Sequence, residues 1–316
     1  MYNINTVQKV KAELENRRLG AISEAEGRNL EVRRRSERIA NIDKELTKTG
    51  LLLFRTACAG EDIAPLRLRN QALCQKRREE LVKLGYPADY TEVHYTCSLC
   101  SDTGFNGAEM CRCQREMLIL EGIKASGIGH LIEKQSFENF DLHHYASSGK
   151  DAEERMRSNF ETAKAYAESF AQTRGNLLFM GPTGTGKTHL STAIAKTVIS
   201  KGFSVLYDSA QAIVSAYKND RFRSGYGKNE PEADKYTECD LLIVDDLGTE
   251  FISPFAISCL YNLFNTRQNR GLSTIVSTNL SPKELTTRYE DRIYSRIVGS
   301  DYNILSFTGE DYRLMP

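Results

Sequence analysis

The stretch NLLFMGPTGTGKTHLSTAIA, residues 176–195, decides the fold of the larger part of this 316-residue chain. Its first five residues form a short apolar run like those of buried strands, and the residues from Lys187 onward are typical of a helix. Between them GPTGTGKT, residues 181–188, fits the pattern G-x-x-x-x-G-K-[ST]. A glycine-rich turn between a strand and a helix places backbone N–H groups around a phosphate. The stretch therefore predicts a nucleotide site in an α/β domain.

The predicted nucleotide contacts are this turn and the first residues of the helix after it. Lys187 is expected to reach the β- and γ-phosphates of ATP, and the hydroxyl of Thr188 to ligate Mg²⁺. The alternative, an accidental glycine-rich turn, gives no reason for the strand before it and the helix after it. The full predicted set is Gly181, Pro182, Thr183, Gly184, Thr185, Gly186, Lys187, Thr188 and His189.

Two acids follow a second apolar run, in CDLLIVDDLG, residues 239–248. The acids then lie at the C-terminal end of the strand, beside the phosphate loop. Asp245 is therefore expected to hold Mg²⁺, directly or through water. Asp246 is expected to orient or deprotonate the attacking water. Many ATPases have Glu at the second position, and the shorter Asp predicts slow turnover with Glu250 as a candidate auxiliary acid. The alternative is that both acids only cap a strand.

A third run, STIVSTNL, residues 273–280, ends in Asn279. After a strand, Asn is often only a turn former. Because the two earlier motifs precede it, we predict that the Asn279 amide hydrogen-bonds the γ-phosphate or the attacking water.

Two arginines lie four residues apart in RYEDRIYSRIVGS, residues 288–300, and so share one face of a predicted helix. An arginine that reaches a neighbouring subunit's γ-phosphate stabilises the transition state. We predict this role for Arg296, with Arg292 as the competing candidate, which makes the active unit an oligomer. The alternative is that both form surface ion pairs.

From about residue 136 to residue 316, short apolar runs alternate with amphipathic helical segments. This alternation predicts a parallel sheet covered by helices on both faces.

The phosphate loop, LLIVDDLG, STN and SRI occur in this order over about 180 residues. In this the chain resembles the AAA+ ATPases of the DnaC/DnaI helicase-loader and IstB-like group. The resemblance implies a five-stranded parallel sheet in the order 5-1-4-3-2. It also fits a chain that ends at Pro316, shortly after the last strand, without room for the C-terminal helical lid of most AAA+ proteins.

The resemblance further implies a helical insertion that contacts single-stranded DNA, here residues 209–236. Aromatic side chains give bases a stacking surface and cations follow the phosphates, a combination that tolerates any base sequence. Without the resemblance, a solvated basic helix is the favoured reading. The predicted DNA contacts are Tyr217, Lys218, Arg221, Phe222 and Arg223.

Four of the eight cysteines lie in YTCSLCSDTGFNGAEMCRCQ, residues 95–114. Four thiolates this close together predict structural Zn²⁺, bound by Cys97, Cys100, Cys111 and Cys113. Because C-x-C is a less common half-site than C-x-x-C, His94 or His130 could replace one thiolate. An iron–sulfur cluster and free or redox-active thiols are the alternatives.

The front of the chain has apolar positions at helical spacing between blocks of charge, which predicts long helices. The resemblance implies that this part binds the hexameric replicative helicase. An ATP-dependent helicase loader in DNA replication is therefore the favoured hypothesis. The alternatives are an IstB-like ATPase that assists a transposase on duplex DNA and an adaptor that binds nucleotide without hydrolysing it. The neutral net charge of the chain favours none of them.

The expected organisation is a helical module at 1–94, a zinc-binding element at 95–115, a linker at 116–135 and the ATPase domain at 136–316. The sequence contains neither an apolar leader nor a run of about 20 apolar residues. These features predict a cytoplasmic protein without a membrane role.

Overall fold

The computed structural model describes residues 2–222, 231–309 and 311, without the side chains of 290–292. The chain divides into two compact units, residues 11–115 and residues 1–10 with 116–316. The longest helix, α1 (Ile4–Arg35), contributes residues to both units. No helix among the described residues has the length and apolar character needed to cross a membrane.

The unit formed by residues 11–115 is mainly helical, as predicted for the front of the chain. Its further elements are α2 (Glu37–Cys58), α3 (Ala64–Lys83), β1 (Phe105–Asn106) and β2 (Glu109–Met110), and α4 (Arg112–Ser126) begins at its end. Ser36 separates α1 from α2 because its hydroxyl accepts a hydrogen bond from the Ile39 N–H and caps the second helix. Gly85 ends the last helical run with φ +85°, the left-handed conformation expected there.

α2 and α3 form an antiparallel hairpin that is held at its base by buried charge. The Asp43 carboxylate accepts hydrogen bonds from Arg77 and Arg33, each at 2.6 Å, and Arg69 pairs with Glu45 further along. Every residue from Gly50 to Glu80 remains at least partly exposed. We call residues 50–68 the hairpin tip. Its exposed large apolar side chains are Leu51, Leu52, Phe54 and Leu68.

The second unit contains a three-layer α/β domain. Its elements after α4 are α5 (Lys150–Ser169), β3 (Asn176–Met180), α6 (Lys187–Ser200), β4 (Val205–Ser209), α7 (Ala210–Phe222), α8 (Lys235–Glu238), β5 (Leu241–Leu247), α9 (Pro254–Asn269), β6 (Ser273–Thr278), α10 (Pro282–Val298) and β7 (Tyr302–Ser306). The strands β3 to β7 form one parallel sheet in the order β4-β5-β6-β3-β7. Numbered 1 to 5 along the chain, this is the predicted order 5-1-4-3-2.

Alternation along β5 divides the core between the two faces of the sheet. Leu241 and Ile243 pack in the layer of α5 and α6, whereas Leu242 and Val244 pack in the layer of α7, α9 and α10. The register between β5 and β6 then shifts, because Val244 pairs with Val276 while Leu247 pairs with Thr278. β5 therefore carries one extra residue, a β-bulge, where its two acids lie.

One segment differs from its sequence-based interpretation. Residues 116–126, read as part of an irregular connector, continue helix α4. Four of the five residues 116–120 are strong helix formers, but the four consecutive apolar residues 117–120 hide the helical period. Gly122 lies where an added Cβ would come within 3.0 Å of the Ile199 side chain, so this glycine permits close packing on α6.

Candidate nucleotide site and metal centre

The predicted phosphate loop joins β3 to α6. Gly184 and Gly186 have φ values of +77° and +89°, and a Cβ at Gly186 would come within 2.6 Å of the Tyr145 hydroxyl. These positions therefore require glycine. Tyr145 also donates a hydrogen bond to the Thr185 carbonyl at 3.0 Å, so the segment that precedes α5 supports the loop from below.

Lys187 is only 5% exposed, and its ammonium group lies inside the loop. It donates hydrogen bonds to the carbonyls of Gly181 and Pro182, at 2.7 and 2.6 Å, and to Oδ1 of Asn279 at 2.7 Å. The structure thus brings together two residues that are 92 positions apart and that the sequence analysis assigned to one site.

Asp245 lies on the sheet face that is covered by α6, close to Thr188 at the start of that helix. One carboxylate oxygen accepts a hydrogen bond from the Ser277 hydroxyl. The other accepts from the Tyr207 hydroxyl and lies 3.4 Å from the Thr188 hydroxyl. The Thr188 and Asp245 oxygens suit Mg²⁺, which binds through one or two protein oxygens together with substrate phosphates.

Asp246 occupies the bulge with φ +52°, a left-handed conformation that Asp adopts more readily than most residues. Its N–H donates a hydrogen bond to the Ser277 hydroxyl at 2.9 Å, and its carboxylate lies 3.5 Å from the amide nitrogen of Asn279. Asn279 therefore contacts both Lys187 and Asp246. This arrangement can hold a phosphate and a water molecule in line between a cation and a base.

Tyr207 and Ser277 were not predicted from the sequence. Burial, with the Asp245 charge second, raises the pKa of Tyr207 well above its usual range, so this phenol is a hydrogen-bond donor at neutral pH. A signal for both residues exists in the parallel register, because β4, β5 and β6 are neighbours and these residues share one sheet face with Asp245 near the C-terminal ends of the strands.

His189 was predicted as part of the nucleotide contacts. Its ring hydrogen-bonds the Ser136 carbonyl at 2.9 Å and packs edge-on against Phe140, with 5.1 Å between ring centroids. Burial lowers the pKa of the imidazole. The structure thus places His189 against the segment that supports the loop.

Glu250, the candidate auxiliary acid, is tied into the structure of the domain. It is 1% exposed, and its carboxylate accepts hydrogen bonds from the Gly248 N–H at 3.0 Å and from the Tyr289 hydroxyl. These two bonds fix the loop after β5 on α10. The structure thus gives Glu250 a structural role, and its role as auxiliary acid stays a prediction.

Arg296 lies near the N-terminal ends of the strands, whereas the phosphate loop lies at their C-terminal ends. It donates a hydrogen bond to Gln268 at 2.8 Å, and Gln268 contacts Asp301 just before β7 begins. The Asp301 carbonyl in turn accepts from Asn176, the first residue of β3, whereas the phosphate loop follows the last. Arg292 lies on the same helix, with its side chain outside the described part of the chain.

The predicted DNA contacts divide into two groups. Tyr217 packs against the core, and burial raises its pKa to about 12. Lys218, Arg221 and Phe222 line a cavity of about 400 Å³ together with Phe251. Phe222 is 77% exposed and Phe251, which the sequence analysis did not single out, is 82% exposed. Arg223 lies outside the described residues.

In the other unit, the four predicted cysteines converge. Their sulfur atoms all lie within 4.8 Å of one another, with Cys97 and Cys111 at 3.8 Å and Cys100 and Cys113 at 3.5 Å. A tetrahedral zinc site with Zn–S bonds of about 2.3 Å has sulfur atoms about 3.8 Å apart. Within the described ranges, neither His94 nor His130 joins the group.

The chain around the cysteines is built to hold this geometry. The Asp102 carboxylate accepts hydrogen bonds from the N–H groups of Thr96 and Cys97, and the Cys111 N–H donates to the Gly104 carbonyl. The backbone N–H of Cys100, followed by that of Leu99, lowers the pKa of Cys97 to about 7, which favours the thiolate that a metal requires. Burial instead raises the pKa of Cys113. The spacing fits one tetrahedral ion and leaves no room for an iron–sulfur cluster.

Several known proteins are similar to this chain. The replicative helicase loader DnaC of Escherichia coli K12 is 28% identical over 206 residues, which cover 65% of this chain and 80% of that protein. The phage-like element PBSX protein XkdC of Bacillus subtilis 168 is 26% identical over 248 residues, covering 72% and 88%. The crystal structure of the DnaC helicase loader matches with a TM-score of 0.43 and 21% identity, over 49% of this chain and 90% of that one.

The sequence model of one family, described as IstB-like ATP binding protein, matches residues 121–315. This range contains the phosphate loop, the two acids of β5, Asn279 and both arginines of α10. Since the match spans more than half of the chain, the protein belongs to the family of IstB-like ATP-binding proteins.

Proposed function

We propose that the protein is an ATPase that loads a replicative DNA helicase onto single-stranded DNA. The observation that carries the ATPase part is the convergence of Lys187, Asp245, Asp246 and Asn279 at one edge of the sheet. The likeness to the helicase loader DnaC supports the loader part.

In this proposal the chain's own groups bind ATP and position water. Lys187 exchanges its carbonyl partners for the β- and γ-phosphates, which gives its buried ammonium a negatively charged partner. Mg²⁺ held by Thr188 and Asp245 would neutralise charge on the phosphates. Asn279 and Asp246 then hold the attacking water, and Asp246 takes its proton.

Arg296 acts on a neighbouring copy. β3 has five residues and so separates Arg296 from its own phosphate loop by roughly 16 Å. An arginine at the N-terminal ends of the strands can complete only the ATP site of another subunit. The active form is therefore an oligomer. Arg292 is the competing candidate for the same role.

The surface of α7 is proposed to bind single-stranded DNA. Lys218 and Arg221 would follow phosphates, with Arg223 beside them in sequence, while the exposed ring of Phe222 offers a stacking surface for bases. Tyr217, whose ring packs on the core, would support α7 instead of stacking on DNA.

The unit formed by residues 11–115 is proposed to contact the hexameric helicase, with structural Zn²⁺ on the four cysteines. The hairpin tip is the surface best suited to this contact. It exposes four large apolar side chains, and Arg55 and Arg67 near them in sequence form no ion pair with the described residues. An amphipathic, acid-flanked helix of the partner would cover the apolar surface and pair with these cations.

Native mass spectrometry of the full chain mixed with its host's replicative helicase, with and without ATP, tests the loader proposal. We expect a defined complex whose stoichiometry responds to nucleotide, and we expect Lys187→Ala to abolish that response. Absence of a complex in every nucleotide state would contradict the proposal.

The family membership supports a second candidate, an IstB-like ATPase that assists a transposase on duplex DNA. Under this alternative the same experiment gives no helicase complex, whereas duplex DNA with a transposase does give one.

A further inference from the structure

We propose that Tyr207 and Ser277 are positioning residues that fix Asp245 for binding of the metal–nucleotide complex, and that Ser277 also fixes Asp246. This inference rests on the proposed ATP site and extends it by two residues. Both act through the acids and neither touches the nucleotide.

The first step is the placement of the three side chains. Tyr207, Asp245 and Ser277 come from the adjacent strands β4, β5 and β6. Strand alternation directs all three to the face covered by α6, where Thr188 also lies. The two hydroxyls donate to different oxygens of the same carboxylate, so its rotation about the Cβ–Cγ bond is restricted from both sides.

The second step is the bulge, where β5 has two residues, Asp245 and Asp246, between its paired residues and β6 has only Ser277. A bulge re-aims side chains and leaves ladder groups unpaired. Ser277 supplies the missing partner, because its hydroxyl accepts from the Asp246 N–H and donates to the Asp245 carboxylate. A single buried hydroxyl therefore braces both acids.

The third step is the number of partners that the Asp245 carboxylate can accept. A carboxylate offers about four lone-pair positions, so each Asp245 oxygen can accept one hydroxyl and still face an ion or its water. Partners of this kind, which orient a ligand without touching the metal, change metal affinity or activity by about 10- to 100-fold when they are removed.

The test measures binding of a fluorescent ATP analogue at increasing Mg²⁺ in the full chain. For Tyr207→Phe we expect the half-saturating Mg²⁺ concentration to rise about tenfold, while affinity for the analogue without Mg²⁺ is unchanged. Tyr236→Phe is the matched control, because its buried hydroxyl bonds Asp208 on the same strand. It should behave like wild type.

Ser277→Ala should raise the Mg²⁺ requirement in the same way. It should in addition lower kcat, because the Asp246 N–H loses the hydroxyl that accepts its hydrogen bond. An unchanged Mg²⁺ requirement in folded Tyr207→Phe and Ser277→Ala proteins would overturn the inference, as would wild-type binding that does not depend on Mg²⁺. Binding is read without hydrolysis. A protein that binds Mg²⁺-dependently but never turns over would refute the proposed ATPase function and leave this inference standing.

Discussion

At the scale of single residues, the backbone at Asp246 explains an unusual choice of acid. Many ATPases have Glu at this position, but here φ is +52°, a region in which Asp is several-fold enriched over longer side chains. The bulge brings the backbone of β5 into this conformation, and a short carboxylate can occupy it with less strain. The acid that the sequence analysis linked to slow turnover is thus the acid that the local fold favours.

The proposed role of Asp246 as general base predicts a specific kinetic change. Asp246→Asn keeps the left-handed conformation and the contact with Asn279, but it cannot accept a proton. We expect turnover to fall by about 10²-fold or more with unchanged affinity for ATP, measured by phosphate release and by binding of a fluorescent analogue. Full turnover in the variant would place the base elsewhere, and an inactive wild type that binds ATP tightly would favour the non-hydrolysing adaptor.

The structural role of Glu250 predicts a change in stability instead. Glu250→Ala leaves the Gly248 N–H and the Tyr289 hydroxyl without their acceptor, which costs about 1–3 kcal/mol of unfolding free energy. Urea denaturation measures this loss, and Glu250→Gln, which keeps an acceptor, should cost less. Turnover per folded molecule should remain unchanged. A loss of turnover at unchanged stability would support the auxiliary-acid reading.

At the scale of elements, the cysteine loop predicts a metal dependence. We expect about one equivalent of zinc per chain, measured by elemental analysis, with loss of the metal and faster proteolysis near residues 95–115 in Cys100→Ser. Cys58→Ser, which changes an exposed cysteine outside the cluster, is the control. Iron with inorganic sulfide in the purified protein would contradict the zinc proposal.

The hairpin tip predicts a binding defect without a folding defect. Leu51 and Phe54 are exposed, so Leu51→Glu with Phe54→Glu should leave thermal stability nearly unchanged. The charges would repel an acidic partner helix, and we expect the apparent affinity for the helicase, measured by titration, to fall by at least tenfold. Leu30→Glu on α1, another exposed apolar position, should have little effect. Equal binding by all three proteins would exclude the tip as the contact surface.

The sequence predicted elements where a local pattern exists and missed features that depend on contacts between elements. The strand order, the position of the phosphate loop between a strand and a helix, and the convergence of the four cysteines were predicted correctly, because each follows from a motif of short range or from the resemblance that the motifs support. The bulge at Asp246 and the convergence of Tyr207 with Ser277 depend on the register of parallel strands, which no single segment encodes. The tie between Glu250 and Tyr289 joins residues 39 positions apart and was missed for the same reason.

At the scale of the whole molecule, the residues proposed to act in ATP hydrolysis lie at two opposite ends of the strands. Lys187, Asp245 and Asp246 lie where the strands end, and Arg296 lies where they begin. A contact between unlike surfaces of neighbouring copies is heterologous and generates a ring or a helical filament. Binding of ATP at one edge would then strengthen the contact with the next subunit.

This arrangement predicts complementation between two inactive variants. Arg296→Ala keeps its own site but cannot complete a neighbour's, and Lys187→Ala keeps Arg296 but has no working site. Each alone should lose about a thousandfold in turnover. Mixed in equal amounts, about a quarter of the contacts between subunits pair an intact site with an intact arginine, so we expect activity to recover to that order at concentrations where the protein assembles. A mixture no more active than its components would show that Arg296 does not act in trans. The same experiment with Arg292→Ala then decides which arginine does.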